Sequence, residues 1–109
     1  MPHIIIEHAC NLPVSSTDLV ECVHQAVEQT NLFDNSTIKT RSQSFEHFKV
    51  QTGKIGFVHV QAHLIAGRSD EQKQLLSDTI LSALKTLLDS NWLLSVHPYD
   101  LIPGVYRKN

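Results

Sequence analysis

Glycine and proline are scarce in this chain, four of each in 109 residues, and cysteine is scarcer still. So little glycine leaves no glycine-rich loop to cradle a phosphate, and neither a nucleophile elbow nor a zinc-protease helix is present. Two cysteines, Cys10 and Cys22, are too few to staple a small secreted protein, and their spacing is not that of a metal site. Both thiols are expected to be reduced, which makes the cytoplasm the expected location. Neither sign of charge prevails: nine Lys and Arg oppose eleven Asp and Glu, for a net charge of −2. A nucleic-acid binder would carry a strong basic excess. The longest apolar run falls well short of the ~20 residues that cross a bilayer. The first residues also lack the basic start and long apolar segment of a secretory signal. Neither a nucleic-acid nor a membrane partner is expected.

What remains is the profile of an ordinary globular chain, 41% apolar and 18% charged. Its length suits one domain over residues 1–109. Residues 3–8 read as a first strand, rich in β-branched isoleucine. Asn11-Leu12-Pro13 is a turn, and Ser15 with Asp18 has capping-box spacing. Leu19, Cys22, Val23, Ala26, Val27 and Thr30 then recur at helical spacing. Residues 37–48 alternate as a strand, and 56–65 alternate more clearly still. Ser69 and Gln72 repeat the capping-box spacing before a long helix with Leu75, Leu76, Ile80, Leu84 and Leu88 on one stripe. Residues 93–97 form a short last strand that Pro98 is expected to stop.

Strand–helix–strand thus occurs twice. Two such units build one sheet with both helices on one face, a two-layer α+β architecture. The sheet's other face has no second layer, and its apolar groups predict burial by oligomerisation.

The candidate chemistry starts at Met1-Pro2-His3. A small second residue lets the initiator methionine be trimmed, leaving Pro2 with a free secondary amine. An α-amino group has a pKa of roughly 7.7–8.0. An apolar site beside cations lowers it further, giving a base that is neutral near pH 7. Lys39 and Arg41 lie two apart on a strand and so share a face. Arg68 leaves the next strand just before a helix start, where a guanidinium grips a carboxylate bidentately and backbone N–H groups favour an anion. A proton carrier among cations suits an acidic enol or keto acid. His59, His63 and His47 are read as hydrogen-bonded or interface histidines rather than metal ligands. His3 and His8 are read as flanking the first strand. Cys22 is read as a core residue.

These residues converge on a family. Met1-Pro2-His3, the apolar strand ending at Glu7, the Asn11 turn, Asn31-Leu32-Phe33 and Ile38-Lys39-Thr40-Arg41 occur in order. Phe57-Val58-His59-Val60 follows, continuing to Ile65-Ala66-Gly67-Arg68-Ser69. From Pro2 to about Ser95 the chain resembles the 5-carboxymethyl-2-hydroxymuconate isomerases of the tautomerase superfamily. The resemblance implies a homotrimer with sites near subunit boundaries. It implies no metal or organic cofactor, and a role in homoprotocatechuate breakdown. Pro2 would shuttle a proton from the enol oxygen to carbon, turning a 2-hydroxymuconate into a 2-oxo-hexenedioate. Arg68 and a basic strand residue, Lys39 or Arg41, would bind the substrate's carboxylates. Arg41 is the preferred one, since lysine lacks the bidentate fork.

The chain departs from the family in residues 43–54, where Phe45 and Phe48 are the only rings, and in a tail that ends soon after His97. A smaller or different substrate is one consequence. Another enol such as phenylpyruvate, or a non-catalytic trimer that retains Met1, is an alternative reading.

Overall fold

The computed structural model describes all residues, Met1 to Asn109. Alternation decides the sheet. In β1 (His3–Ala9), Ile4 and Ile6 are fully buried, while His3, Ile5 and Glu7 on the other face are half-buried. Strand β3 (Gly56–Ile65) repeats the pattern, with Val58, Val60, Ala62 and Leu64 inside. Each fully buried aliphatic side chain contributes about 1.5–3 kcal/mol.

Helix α1 (Ser16–Gln29) starts where the Ser15 hydroxyl accepts from the Asp18 amide at 3.0 Å. The reciprocal bond of a capping box does not form there. Aspartate at that position is one methylene shorter than the Glu or Gln that reaches back. Leu19, Val23, Ala26 and Val27 form the buried stripe. The helix ends at Thr30, and Asn31 turns the chain with a left-handed φ of 56°, a conformation asparagine tolerates. A 3-10 turn (Asn35–Thr37), capped by Asp34, leads into β2 (Lys39–Phe45). That cap takes residues 37–38 out of the strand expected over 37–48, and β2 also ends earlier than expected, at Phe45.

Helix α2 (Asp70–Leu87) has the full capping box, Ser69 with Gln72. Leu76, Ile80 and Leu84 are buried, but Leu75 on the same predicted stripe is 48% exposed. Strand β4 (Trp92–Leu101) does not stop at Pro98 as expected. Pro98 pairs with Ala62 on an edge strand, where the N–H that proline lacks can be spared.

The sheet order is β2-β1-β3-β4. β1 is parallel to β2, β3 is parallel to β4, and β1 runs antiparallel to β3. One cluster of 17 buried residues joins both helices to one sheet face. The other face is open and divided. Phe45, Phe57 and Phe48 gather at one end, with ring centroids 6.3 and 5.8 Å apart. The other end carries Lys39, His3, His63 and Tyr99 in one register row, with Arg41 beside them. The apolar share of this face is therefore smaller than the alternation suggested.

Candidate active site

The antiparallel pairing of β1 and β3 sets the start of one beside the end of the other, with His3 opposite His63. Parallel pairing sets the start of β2 there too, His3 opposite Lys39. Pro2, Lys39 and the loop after β3 thus meet at one end of the sheet. Arg68 enters by way of Gly67, whose φ of +135° would strain any residue with a Cβ.

Pro2 is buried and locked by its neighbours. Its carbonyl accepts from the Lys39 amide at 3.2 Å. The Thr37 hydroxyl bonds the Met1 carbonyl at 3.0 Å. The Lys39 ammonium donates to the Thr37 carbonyl at 2.6 Å. The amine of Met1, the residue that trimming removes, is held below its ordinary proton affinity, first by burial, then by the Lys39 and Lys108 charges, with Arg68 adding to them.

Arg68 is fixed on two sides. It donates to the Leu32 carbonyl at 2.9 Å and lies over the Phe33 ring, 4.3 Å from its centroid. The helix exit Asn31-Leu32-Phe33 is therefore the seat of the guanidinium, and it joins the two motifs in space.

Arg41 does not join the cations that act on the amine. It donates to Nδ1 of His3 at 3.1 Å. Of the two basic residues on β2, Lys39 stands at the amine, and Arg41 stands one register step away beside Ile5. His3 was read only as a flank of the strand, yet it sits at the centre of this end. Its proton affinity is lowered by burial, then by Arg41 and Lys39. Its Nε2 lies 3.4 Å from the Tyr106 hydroxyl. Strand register alone would have set His3 between Lys39 and His63; the tail contact had no sequence signal.

Other histidines have hydrogen-bond partners of their own. His59 bonds the Ser95 hydroxyl at 2.7 Å and His63 the Gln61 side chain at 3.0 Å. His8 is buried, with Nδ1 on the Ala9 carbonyl at 2.8 Å. Cys22 is half-buried against the Ala83 carbonyl, and burial raises its thiol pKa.

The largest cavity, about 540 Å³, lies between the end of α2 and the start of β4, lined by Leu81, Lys85, Leu88 and Trp92 among others. It is at the far end of the sheet from the amine. No cavity of the single chain includes Pro2, Lys39 or Arg68. The cations therefore stand on an open surface rather than in a closed pocket.

Comparison with known proteins bears on the fold and the family. No curated protein matches the chain. Among solved structures, a 5-carboxymethyl-2-hydroxymuconate isomerase from Deinococcus radiodurans R1 superposes with a TM-score of 0.85 at 20% identity, over 99% of this chain and 88% of that one. A 5-carboxymethyl-2-hydroxymuconate delta-isomerase superposes at 0.77 and 17% identity, over 100% and 87%. A fused 4-OT symmetric trimer superposes at 0.76 and 21% identity, over 92% and 85%. These likenesses establish the fold. The sequence model of 5-carboxymethyl-2-hydroxymuconate isomerase matches residues 2–94. The chain belongs to the 5-carboxymethyl-2-hydroxymuconate isomerase family, tautomerase-type isomerases built on this sheet.

Proposed function

We propose that the protein is a cofactor-independent isomerase that ketonises a 2-hydroxymuconate-type dicarboxylate, with Pro2 as acid and base once Met1 is trimmed. The single observation that carries this reading is the strand pairing that sets buried Pro2 beside Lys39 and the turn bearing Arg68 at one end of the sheet, where the amine of Met1, the residue just before Pro2, has its proton affinity lowered by burial and by the Lys39 charge. Such an amine is unprotonated at a pH where an ordinary one is still charged. It takes the proton of the enol hydroxyl and returns it to carbon, so the C=C bond moves and the enol oxygen becomes a ketone. No electrons leave the substrate, so the step needs no redox partner. Lys39 and Arg68 bind the carboxylate and oxygen nearest the amine and draw off negative charge as it develops. Arg41 supports them through His3. With Met1 retained, the Pro2 nitrogen is an amide and offers neither a lone pair nor a proton.

The reading extends to assembly and setting. A single tautomerase-like domain over residues 1–109 forms a homotrimer through its open sheet face, which leaves the amine at a subunit boundary and closes the pocket a lone chain lacks. The solved fused 4-OT trimer supports this assembly. The enzyme serves aromatic catabolism of the homoprotocatechuate type and works in the cytoplasm.

Two measurements test the proposal together. Mass spectrometry of the purified chain is expected to find Met1 removed. A ketonisation assay with 2-hydroxymuconates and phenylpyruvate is expected to show Pro2→Ala slower by about 10²–10⁴-fold, the usual size of a general acid–base contribution. The wild-type rate should rise with pH through a pKa below roughly 8, the ordinary value of an α-amine, because burial and neighbouring cations disfavour the charged form. A Pro2→Ala protein with undiminished turnover on every enol tried would sink the base assignment.

A further inference from the structure

The molecule builds one kind of corner twice. In the first strand–helix–strand unit, β1 and β2 start side by side, with His3 opposite Lys39. In the second, β3 and β4 start side by side, with Gly56 opposite Trp92. Because β1 runs antiparallel to β3, the two corners lie at opposite ends of the sheet. The first corner holds Pro2 and Lys39. The second holds the cavity of about 540 Å³, within the ~300–1,000 Å³ typical of small-molecule sites.

The floor of this cavity is core. Leu88 and Trp92 are 4% and 5% exposed, and the indole lies against Gly56, where no Cβ stands in its way. Leu81, two turns before Leu88 on the same face of α2, extends the apolar wall. Polar side chains line it only from Lys85, Asp89 and Ser90, at the exposed mouth. Asp89 is engaged, since its carboxylate accepts from the Asn91 amide at 2.9 Å. The Ser90 carbonyl holds the Lys54 ammonium at 2.6 Å. Lys85 has no carboxylate partner; both ion pairs of the chain are made by Lys73. Two ammoniums thus stand against one occupied carboxylate. The end of α2 adds a partial negative charge of only about 0.5, so the mouth stays positive.

We propose that this second corner is a binding site for a small amphipathic acid, an aliphatic chain bearing one carboxylate. The chain lies against Leu81, Leu88 and Trp92, and the carboxylate meets Lys85 at the mouth. Leucine walls favour an aliphatic body. An indole only 5% exposed presents too little ring for an aromatic ligand to stack on. The site is separate from Pro2 and depends on none of the chemistry proposed there.

Trp92 is the only tryptophan in the chain, so its fluorescence reports on this cavity and not on the far end of the sheet. Octanoate, kept below micelle-forming concentrations, is expected to shift that emission saturably in the full-length protein. Hexanoate should bind roughly tenfold more weakly, since each buried methylene is worth roughly three- to fourfold. Octylamine, the same chain with the opposite charge, should bind about three- to tenfold more weakly than octanoate, and the gap should close as salt rises. Lys85→Glu reverses the charge at an exposed position and should make octylamine the tighter ligand, with an unchanged circular dichroism spectrum. A Trp92 emission that octanoate leaves unmoved overturns the site, whether a neighbouring copy fills the cavity or the cavity is too shallow to hold a chain. Hexanoate bound as tightly as octanoate removes the apolar wall from the account. Octylamine bound as tightly as octanoate, or a Lys85→Glu protein that still prefers octanoate, overturns the acid as the ligand.

Discussion

His3 is gripped by two partners that together fix one protonation state. Arg41 occupies Nδ1 as a donor, and the hydroxyl of Tyr106 takes the remaining proton on Nε2. A second proton on the ring would turn Nδ1 against the guanidinium. Burial opposes that proton first, followed by the charges of Arg41, Lys39 and the N-terminal amine, and then His63. The folded pKa therefore lies below the ordinary 6.5, and the unfolded chain binds this proton more readily. Above pH 6.5 both states leave the ring neutral, and His3 adds no pH dependence. As the pH falls below that value, the unfolded state takes the proton first, and stability is lost through the folded pKa. The expected outcome is that His3→Gln loses less stability than wild type between pH 7.5 and 5, measured by urea denaturation at each pH. Parallel curves for the two proteins would mean that the ring titrates alike in both states. Sequence showed His3 only as a strand flank because its two partners lie 38 and 103 residues away. Pro2, Lys39, Arg41 and Arg68 were legible as candidates for the opposite reason, although the preference for Arg41 over Lys39 came from its bidentate fork and not from its position. Each is fixed by its place on a strand or strand exit, and strand order alone sets them near one another.

Among the elements, β3 and β4 meet most tightly where they begin. Gly56 pairs with Trp92, and a Cβ on Gly56 would lie 2.4 Å from the indole Cζ3. Trp92 is 5% exposed and packs in the core. Gly56→Ala should therefore cost about 1–3 kcal/mol, the usual price of overpacking, and lower Tm by several degrees in a scanning-calorimetry run. Gly104 offers the control, since a Cβ there meets nothing within 4 Å and Gly104→Ala should leave Tm nearly unchanged. Periodicity found both helices and the four strands because the core is one-sided: within β3 and along the stripes of the two helices the buried positions recur at a period of two or of 3.6. It failed where a different rule took over. The Asp34 cap replaced the start of β2 with a turn. The edge location of β4 let the strand run through Pro98. The side of α2 bearing Leu75 looks away from the sheet, and no periodicity can tell how wide a stripe the neighbouring layer will cover.

At the scale of the whole molecule, two helices cover one side of a four-stranded sheet and nothing covers the other. The body measures 43 × 24 × 23 Å, so the uncovered face is a large share of its surface. That face is chemically split. Phe57, with Phe45 and Phe48, makes an apolar end. His3, Lys39, Arg41 and His63 make a basic end next to the amine. Only the apolar end gains from leaving water, and packing it against other copies sets the basic end at the rim of the contact, where a substrate can enter. Both outer strands also have unpaired edges, and edges of this kind are usually blunted or covered. A trimer through this face meets the first need, and the edges are covered only where a neighbouring copy also reaches round them. Light scattering on a size-exclusion column should then report a mass three times the 12.3 kDa of the chain. Phe57→Asp puts a charge in the middle of the apolar end, which a single chain tolerates because Phe57 is only half-buried. The variant should elute as a monomer with an unchanged circular dichroism spectrum, and its turnover should fall because the boundary pocket is gone. A Phe57→Asp protein that remains trimeric moves the interface to another surface, and the amine would then have to be enclosed by a different part of the neighbouring copy.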